Sequence, residues 1–234
     1  MKRPRLFLDP TSFGDEITLE ADGSHYLTRV LRLKPGDRFV ALDGQGREVE
    51  AELLDRHRAR PLTQTRPATE ARLELDLYLA LAKGERFDRA IEKAAELGVA
   101  RLFPLASERT EVRDPGQAKQ ERWQRLALSA CALAGRVKPM RVEPVVALPQ
   151  ALCGPGWLLT EGAPPPSPVE SERLSLYIGP EGGFTPAEQE MASGQGLTLV
   201  GLGPRNLRVE TAAAVAVGLA LFLAQDLQPR PQSL

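Results

Sequence analysis

Two glycine-rich turns in the last third of the chain hold the residues best placed to do chemistry. One reads Ile178-Gly179-Pro180-Glu181-Gly182-Gly183. The other reads Leu202-Gly203-Pro204-Arg205-Asn206-Leu207-Arg208-Val209-Glu210-Thr211-Ala212. Each follows a short apolar run and leads into a helical pattern, so each exposes backbone groups at one edge of a sheet, where small ligands bind in α/β proteins. Two such turns close together in sequence point to one ligand held between two loops. The first turn is neither a Walker A loop nor G-x-G-x-x-G, and a fixed Glu181 beside a phosphate cradle would add like-charge repulsion. A ligand without phosphates, or a cationic one, tolerates that carboxylate. Taken alone, the turn reads equally well as a strand–helix connection in which Glu181 stabilises a helix N-terminus.

The elements that must position these turns form an alternating pattern. From Leu73 onward, apolar runs at Leu73–Ala82, Arg101–Leu105, Gly156–Thr160, Leu174–Ile178 and Leu197–Leu202 alternate with helical stretches at Arg86–Leu97, Lys119–Leu133, Pro186–Ser193 and Glu210–Asp226. Such alternation predicts a mostly parallel sheet covered on both faces. Gly98 stops one helix, and Thr185-Pro186-Ala187-Glu188 has the residues of a capping box that starts another. The stretch Gly162–Glu172, with Pro164, Pro165, Pro166 and Pro168, reads as an extended surface loop. Upstream, short strands at Arg5–Leu8, Glu16–Glu20, Arg38–Leu42, Arg47–Leu54 and Arg60–Thr65, with a hairpin at Asp43-Gly44-Gln45-Gly46, fit a small barrel. One short helix is expected at Ser24–Leu31, started by a Ser cap. Domain boundaries are therefore placed at 1–68 and 72–234, with a polar linker near Thr65–Glu70.

Composition excludes several classes. The chain has 234 residues, is 42% hydrophobic and 26% charged, and carries a formal net charge of −1, so any nucleic-acid site must come from local clustering rather than bulk charge. Cys131 and Cys153 stand alone and the only histidines are His25 and His57, so no metal site is expected. No stretch reads as a signal peptide or a comfortable membrane span, and a cytoplasmic, reduced protein is expected. Asn206 is the only asparagine.

The two turns resemble the signature motifs of the RsmE-type RNA methyltransferases of the SPOUT superfamily. His25-Tyr26-Leu27-Thr28-Arg29-Val30-Leu31-Arg32 with Pro35-Gly36-Asp37, Lys83-Gly84-Glu85-Arg86, Lys93 to Val99, and Pro104 to Arg109 resemble further family motifs, in order along the chain. The resemblance implies an N-terminal PUA-like β-barrel that binds RNA. It also implies a C-terminal SPOUT domain with a parallel sheet and a trefoil knot. The implied activity is S-adenosylmethionine-dependent methylation of N3 of a uridine in 16S ribosomal RNA, within the small ribosomal subunit and by a homodimer. The same fold and chemistry on tRNA or 23S RNA, or a non-catalytic RNA-binding module, are the alternatives. Two departures bear on the pocket. Cys131-Ala132-Leu133-Ala134-Gly135-Arg136 lacks the family's usual Glu-Gln pair, and Asn206 stands where the family usually has an aliphatic residue.

Methyl transfer from a sulfonium is an in-line displacement, so the chain must bring donor and nucleophile into line. Donor contacts are expected from Ile178, Gly179, Pro180, Glu181, Gly182 and Gly183, and from Leu202, Gly203, Asn206, Leu207, Arg208, Thr211 and Ala212. Leu159, Thr160 and Glu161 supply a third wall. N3 of uracil is a protonated imide whose charge, once the proton leaves, spreads onto flanking carbonyls that an arginine stabilises. Arg208 is the first catalytic candidate, with Arg5 and Arg136 next, and Glu181 or Glu210 is the carboxylate that takes the proton or orients an arginine. RNA contacts are expected from Arg3 and Arg5 (beside Lys2), from His25, Arg29, Arg32 and Lys34, and from Lys83, Arg86 and Lys93. A third basic run, Arg56 to Arg60, also reads as a solvated face. The apolar helix Glu210–Asp226 belongs to a core or to an interface between subunits.

Overall fold

The computed structural model describes residues 3–82, 84–111 and 114–228. The described residues divide into two units, one running through Glu70 and including Cys131–Pro139, the other formed by Ala71–Ala130 and residues 140–228.

In the first unit, strict alternation makes the sheet. The strand Glu48–Leu53 reads Glu-Val-Glu-Ala-Glu-Leu and buries every second residue, the pattern of a sheet with one face on a core and one in water. Five strands take part: β1 (Arg5–Phe7), β2 (Ile17–Thr18), β3 (Arg38–Leu42), β4 (Glu48–Leu53) and β5 (Arg58–Thr65), in the order β1-β3-β4-β5-β2. Only the β1–β3 pairing is parallel. The sheet curls over a core that includes Leu6, Ile17, Leu27, Phe39, Val49 and Leu53. Asp43 fixes the β3–β4 hairpin. Its carboxylate accepts the backbone N–H groups of Gln45 and Arg47 and pairs with the Arg47 guanidinium. Burial opposes its ionisation, but these donors prevail and hold it below the ordinary carboxylate range.

One expectation fails here. The short helix α1 spans Ala21–His25 and continues as a single π turn over Tyr26–Val30, and Ser24 lies inside it rather than capping it. Glu20 is the N-cap, without a side-chain bond, and Asp22 supplies the acidic first turn that the helix dipole favours. A glycine at position 23 suits the close approach there: a Cβ would stand 3.2 Å from a Leu8 methyl and 3.4 Å from a Leu6 methyl.

The second unit is built on seven parallel strands: β6 (Glu74–Ala80), β7 (Arg101–Ala106), β8 (Arg141–Val142), β9 (Val146–Ala147), β10 (Gly156–Leu159), β11 (Arg173–Ile178) and β12 (Leu197–Val200). Their order is β12-β10-β11-β6-β7-β8, with β9 also pairing with β7. β6 is buried at every residue but its first, which requires cover on both faces. The helices are α2 (Arg86–Leu97), α3 (Gln117–Ala134), α4 (Leu148–Ala151), α5 (Pro186–Gly194) and α6 (Val209–Leu223). α6 packs against α2, β11 and β6, and α5 packs against β12. The fully buried Trp123 of α3 donates its indole N–H to Asp88 of α2 at 2.9 Å. Phe103, Tyr78 and Tyr177 stack from β7 through β6 to β11, and burial, the largest influence on each, holds both phenols well above their ordinary range. β8, β9 and α4 are too short to leave a periodic trace in the sequence. No helix among the described residues is long and apolar enough to cross a membrane.

Candidate active site

The parallel register puts the C-terminal ends of β10, β11 and β12 side by side: Leu158 is level with Tyr177 and with Leu199. The loops that leave these ends enclose a cavity of about 380 Å³. It is lined by Leu159, Thr160 and Glu161 after β10. The turn from Ile178 to Phe184 follows β11 and supplies a second side, and Val200, Leu202, Gly203, Arg205, Asn206 and Leu207 follow β12. Val209 and Ala212 from the first turn of α6, with Gln189 of α5 and Arg109, complete the lining.

Local chemistry explains the shape of the walls. The first turn closes through a hydrogen bond from Gly183 N–H to Pro180 C=O at 2.8 Å, with Gly183 at φ +66°. The chain then enters α5 through a complete capping box. Thr185 Oγ1 accepts from Glu188 N–H, and the Glu188 carboxylate accepts from Thr185 N–H while also receiving Glu108 N–H. The third wall is pinned to β12 by bonds from Thr160 N–H to Val200 C=O and from Gly201 N–H to Pro164 C=O.

A second cavity, of about 650 Å³, adjoins the first. Arg109, Pro180, Glu181 and Gly182 line both. Its other walls are Leu81 and Gly84 with Glu85, Arg86 and Arg89 at the start of α2, Glu111 beyond β7, and Arg208 and Glu210 at the start of α6. The shared turn is held from this side. Arg86 Nη1 donates to Glu181 Oε1 at 2.8 Å, and Arg109 Nη1 donates to the Gly182 carbonyl. Arg89 pairs with Glu85 at 3.5 Å. Among the described residues the Arg208 guanidinium is exposed and unpartnered, and Glu210 Oε2 is buried without a hydrogen-bond donor.

Of the residues expected to contact a methyl donor, all line the first cavity except Arg208, which lines the second, and Thr211, which lines neither. Arg109, Phe184, Gln189, Val200, Arg205 and Val209 join that lining without having been singled out. Arg205 and Val209 sit inside the second turn. Arg109 arrives from beyond β7, and no spacing in the sequence ties it to a turn more than seventy positions later.

Of the other catalytic candidates, Arg5 and Arg136 lie in the first unit and line neither cavity. Arg5 Nη2 meets Glu48 at 2.6 Å, and its Nε is buried and unpartnered. Arg136 is 4% exposed and bonded to Glu70 at 3.0 Å. Glu70, placed by sequence in a linker, also accepts the N–H groups of Val137 and Lys138.

Among the RNA-contact candidates, His25, Arg29, Arg32 and Lys34 are exposed on and after α1, beside exposed Tyr26, Val30 and Leu31. Arg3 pairs with Glu50 and Lys93 with Glu96. Lys2 and Lys83 lie outside the described residues. In the third basic run, Arg58 pairs with Asp55 and Glu16.

Comparison with known proteins defines the class. Residues 69–221 match an RNA methyltransferase domain, and residues 19–60 match an RNA methyltransferase PUA domain. The ribosomal RNA small subunit methyltransferase E of Synechocystis is 36% identical over 86% of this chain and 71% of its own length, and that of Bacillus subtilis is 28% identical over 87% and 89%. The crystal structure of the methyltransferase E of Neisseria gonorrhoeae bound to S-adenosyl methionine superposes with a TM-score of 0.86 at 30% identity, covering 95% of this chain and 98% of that one. A methyltransferase from Legionella pneumophila, in complex with the same cofactor, gives 0.86 at 29% identity over 95% and 98%. The fold and the cavity-bearing second unit are therefore those of an RNA methyltransferase carrying a PUA domain. The chain belongs to the RsmE family of RNA methyltransferases.

Proposed function

We propose that the protein transfers a methyl group from S-adenosylmethionine to N3 of a uridine in 16S ribosomal RNA, in the cytoplasm and on the small ribosomal subunit. The observation that carries this reading is the first cavity, whose walls suit that donor. Its volume is in the range of small-molecule sites, and Gly179, Gly182, Gly183 and Gly203 in its lining let a ligand approach the backbone closely. Glu161 and Glu181 tolerate a cation, Arg109 and Arg205 offer partners for a carboxylate, and Leu159, Ile178, Val200, Leu202 and Leu207 give an apolar bed for a flat ring. S-adenosylmethionine supplies an electrophilic methyl group on a sulfonium. The chain's own residues orient it, exclude water and present the acceptor. Arg208 stabilises the charge that develops on the uracil carbonyls. Arg5 and Arg136, committed to Glu48 and Glu70, are assigned structural roles in this reading.

The division of labour follows the domains at 1–68 and 72–234. The basic and aromatic surface around α1 takes RNA backbone and unstacked bases, and the second domain takes the donor. α6 buries Ala213, Ala216, Val217, Ala220 and Leu221 yet leaves Val215 41% and Phe222 65% exposed, and this second face supports a homodimer. Labelled S-adenosylmethionine incubated with small subunits lacking the modification, followed by nucleoside analysis, tests the function. Label in 3-methyluridine of 16S RNA is expected. Label only in tRNA or 23S RNA would transfer the reading to those acceptors. In sedimentation, a monomer mass at all concentrations would refute the dimer.

A further inference from the structure

We propose that the second cavity is the site for the acceptor uracil, and that Glu210 is the group that takes its N3 proton. The inference rests on the methyl-transfer reading above. The two cavities share Pro180–Gly182 and Arg109 in their linings, so a base in the second cavity adjoins a donor in the first. Among the described residues the ionic lining of the second cavity is four arginines and four glutamates, which offers an uncharged base both donors and acceptors. Most of these groups are engaged. Arg86 holds Glu181, Arg89 holds Glu85, Arg109 holds the Gly182 carbonyl, and Glu111 has a partner of its own. Among the described residues Arg208 and Glu210 remain, the one a cation without a partner and the other a carboxylate with a buried oxygen that no donor reaches.

That pair complements the imide edge of uracil, where an N–H lies between two carbonyls. The arginine donates to a carbonyl and the carboxylate accepts the N–H. Glu210 lines the cavity and carries an oxygen with no donor in the resting structure, an unfavourable state that is relieved when the carboxylate turns to take the N3–H of the base. In the reaction the N3–H bond breaks and the proton passes to Glu210. The electron pair left on N3 forms the bond to the methyl carbon, and the pair of the broken carbon–sulfur bond stays on sulfur. The Glu210 acid afterwards releases its proton to water. Glu181, tied to Arg86, is a positioning residue for the shared turn.

The test is Glu210→Gln in the full-length protein, with small ribosomal subunits as acceptor. Retention of subunits on filters and the dissociation constant for S-adenosylmethionine are expected within about threefold of the parent. The single-turnover rate at neutral pH should fall by about 10²–10⁴-fold, the usual contribution of a general base. The deficit should narrow as pH rises, because uridine ionises unaided, and should narrow likewise on 5-fluorouridine RNA, whose imide is more acidic. For Glu210→Ala, added formate should restore part of the rate. An unchanged rate in the Gln variant, or a deficit that is flat with pH and unmoved by formate, overturns the assignment. If the Gln variant does not fold, the Ala variant with formate decides alone, and if neither folds, the assignment is overturned in favour of a structural role for Glu210. A parent protein that makes no 3-methyluridine refutes the methyl-transfer reading instead, and those outcomes are separable because the parent is assayed first.

Discussion

Replacing Gly201 by alanine tests whether the wall of the first cavity depends on backbone contact rather than on side chains. Gly201 follows β12, and a Cβ built there stands 2.1 Å from the Ala163 carbonyl oxygen and 3.0 Å from its carbon. Contacts become ordinary near 3.4 Å, so the two segments must part by about 1.3 Å. The obstacle is main chain on both sides and cannot rotate away, and parting also breaks the 2.8 Å bond from Gly201 N–H to Pro164 C=O. Overpacking of this kind costs about 1–3 kcal/mol, and the lost hydrogen bond adds about 1. A loss of about 3 kcal/mol corresponds to a fall of roughly 6–12 °C in the melting temperature of a chain this size. Because the displaced segment begins at Thr160 and Glu161, the dissociation constant for S-adenosylmethionine should rise at least tenfold, read by calorimetric titration beside the thermal scan. Gly194→Ala, at a helical site with open space and an ordinary φ, is the control and should leave the affinity unchanged and the melting temperature no lower than the parent's. A Gly201→Ala protein with the parent's melting temperature and affinity would refute the argument.

Other perturbations follow from the same geometry. Asp88→Ala strands the buried Trp123 N–H and frees Arg122, and should lower stability by about 2 kcal/mol in urea titration. Thr185→Ala removes the capping bond to Glu188 and should lower stability by about 1 kcal/mol, with weaker donor binding because the turn before α5 loosens. Asp43 is held below its unfolded value, so its contribution is present at neutral pH, is lost as pH falls below about 3.9 toward the folded value, and is absent below both; acid titration of Asp43→Asn should lack that component. Arg208→Ala should keep the fold and the melting temperature and lose methylation in the labelled-donor assay, since its side chain is exposed and unpartnered in the resting structure.

Local signals in the sequence were strong enough to place several elements. The ranges Arg38–Leu42 and Arg86–Leu97 coincide with β3 and α2, the Asp43–Gly46 hairpin forms, and Gly98 ends α2 in the left-handed region at φ +104°. The Thr185–Glu188 capping box is complete in the structure. Each depends on neighbours within a few residues. Ser24 misled because a good capping residue lay three positions inside a helix whose N-cap is Glu20, a residue that makes no side-chain capping bond. The clustering of the two turns around one cavity followed from strand–turn–helix order. The second cavity did not, because Arg89, Arg109 and Glu210 come from three segments joined only by tertiary contact, and nothing local separates an engaged arginine from a free one.

The strand order also governs when the cavities come into being. β6 lies between β7, which follows it soon in the chain, and β11, whose Arg173–Ile178 pairs with Glu74–Leu79 about a hundred residues later. β10 then takes its place between β11 and β12. A ribosome making this chain therefore releases β6 and β7 well before β11 and β12, and through that interval one edge of β6 lies open. Pairings this distant close slowly, and neither cavity has its walls until Val209–Leu223 has emerged and packed. Donor affinity therefore arises late in synthesis, and nascent chains stalled before residue 209 are expected to expose β6 to chaperones and to bind no S-adenosylmethionine.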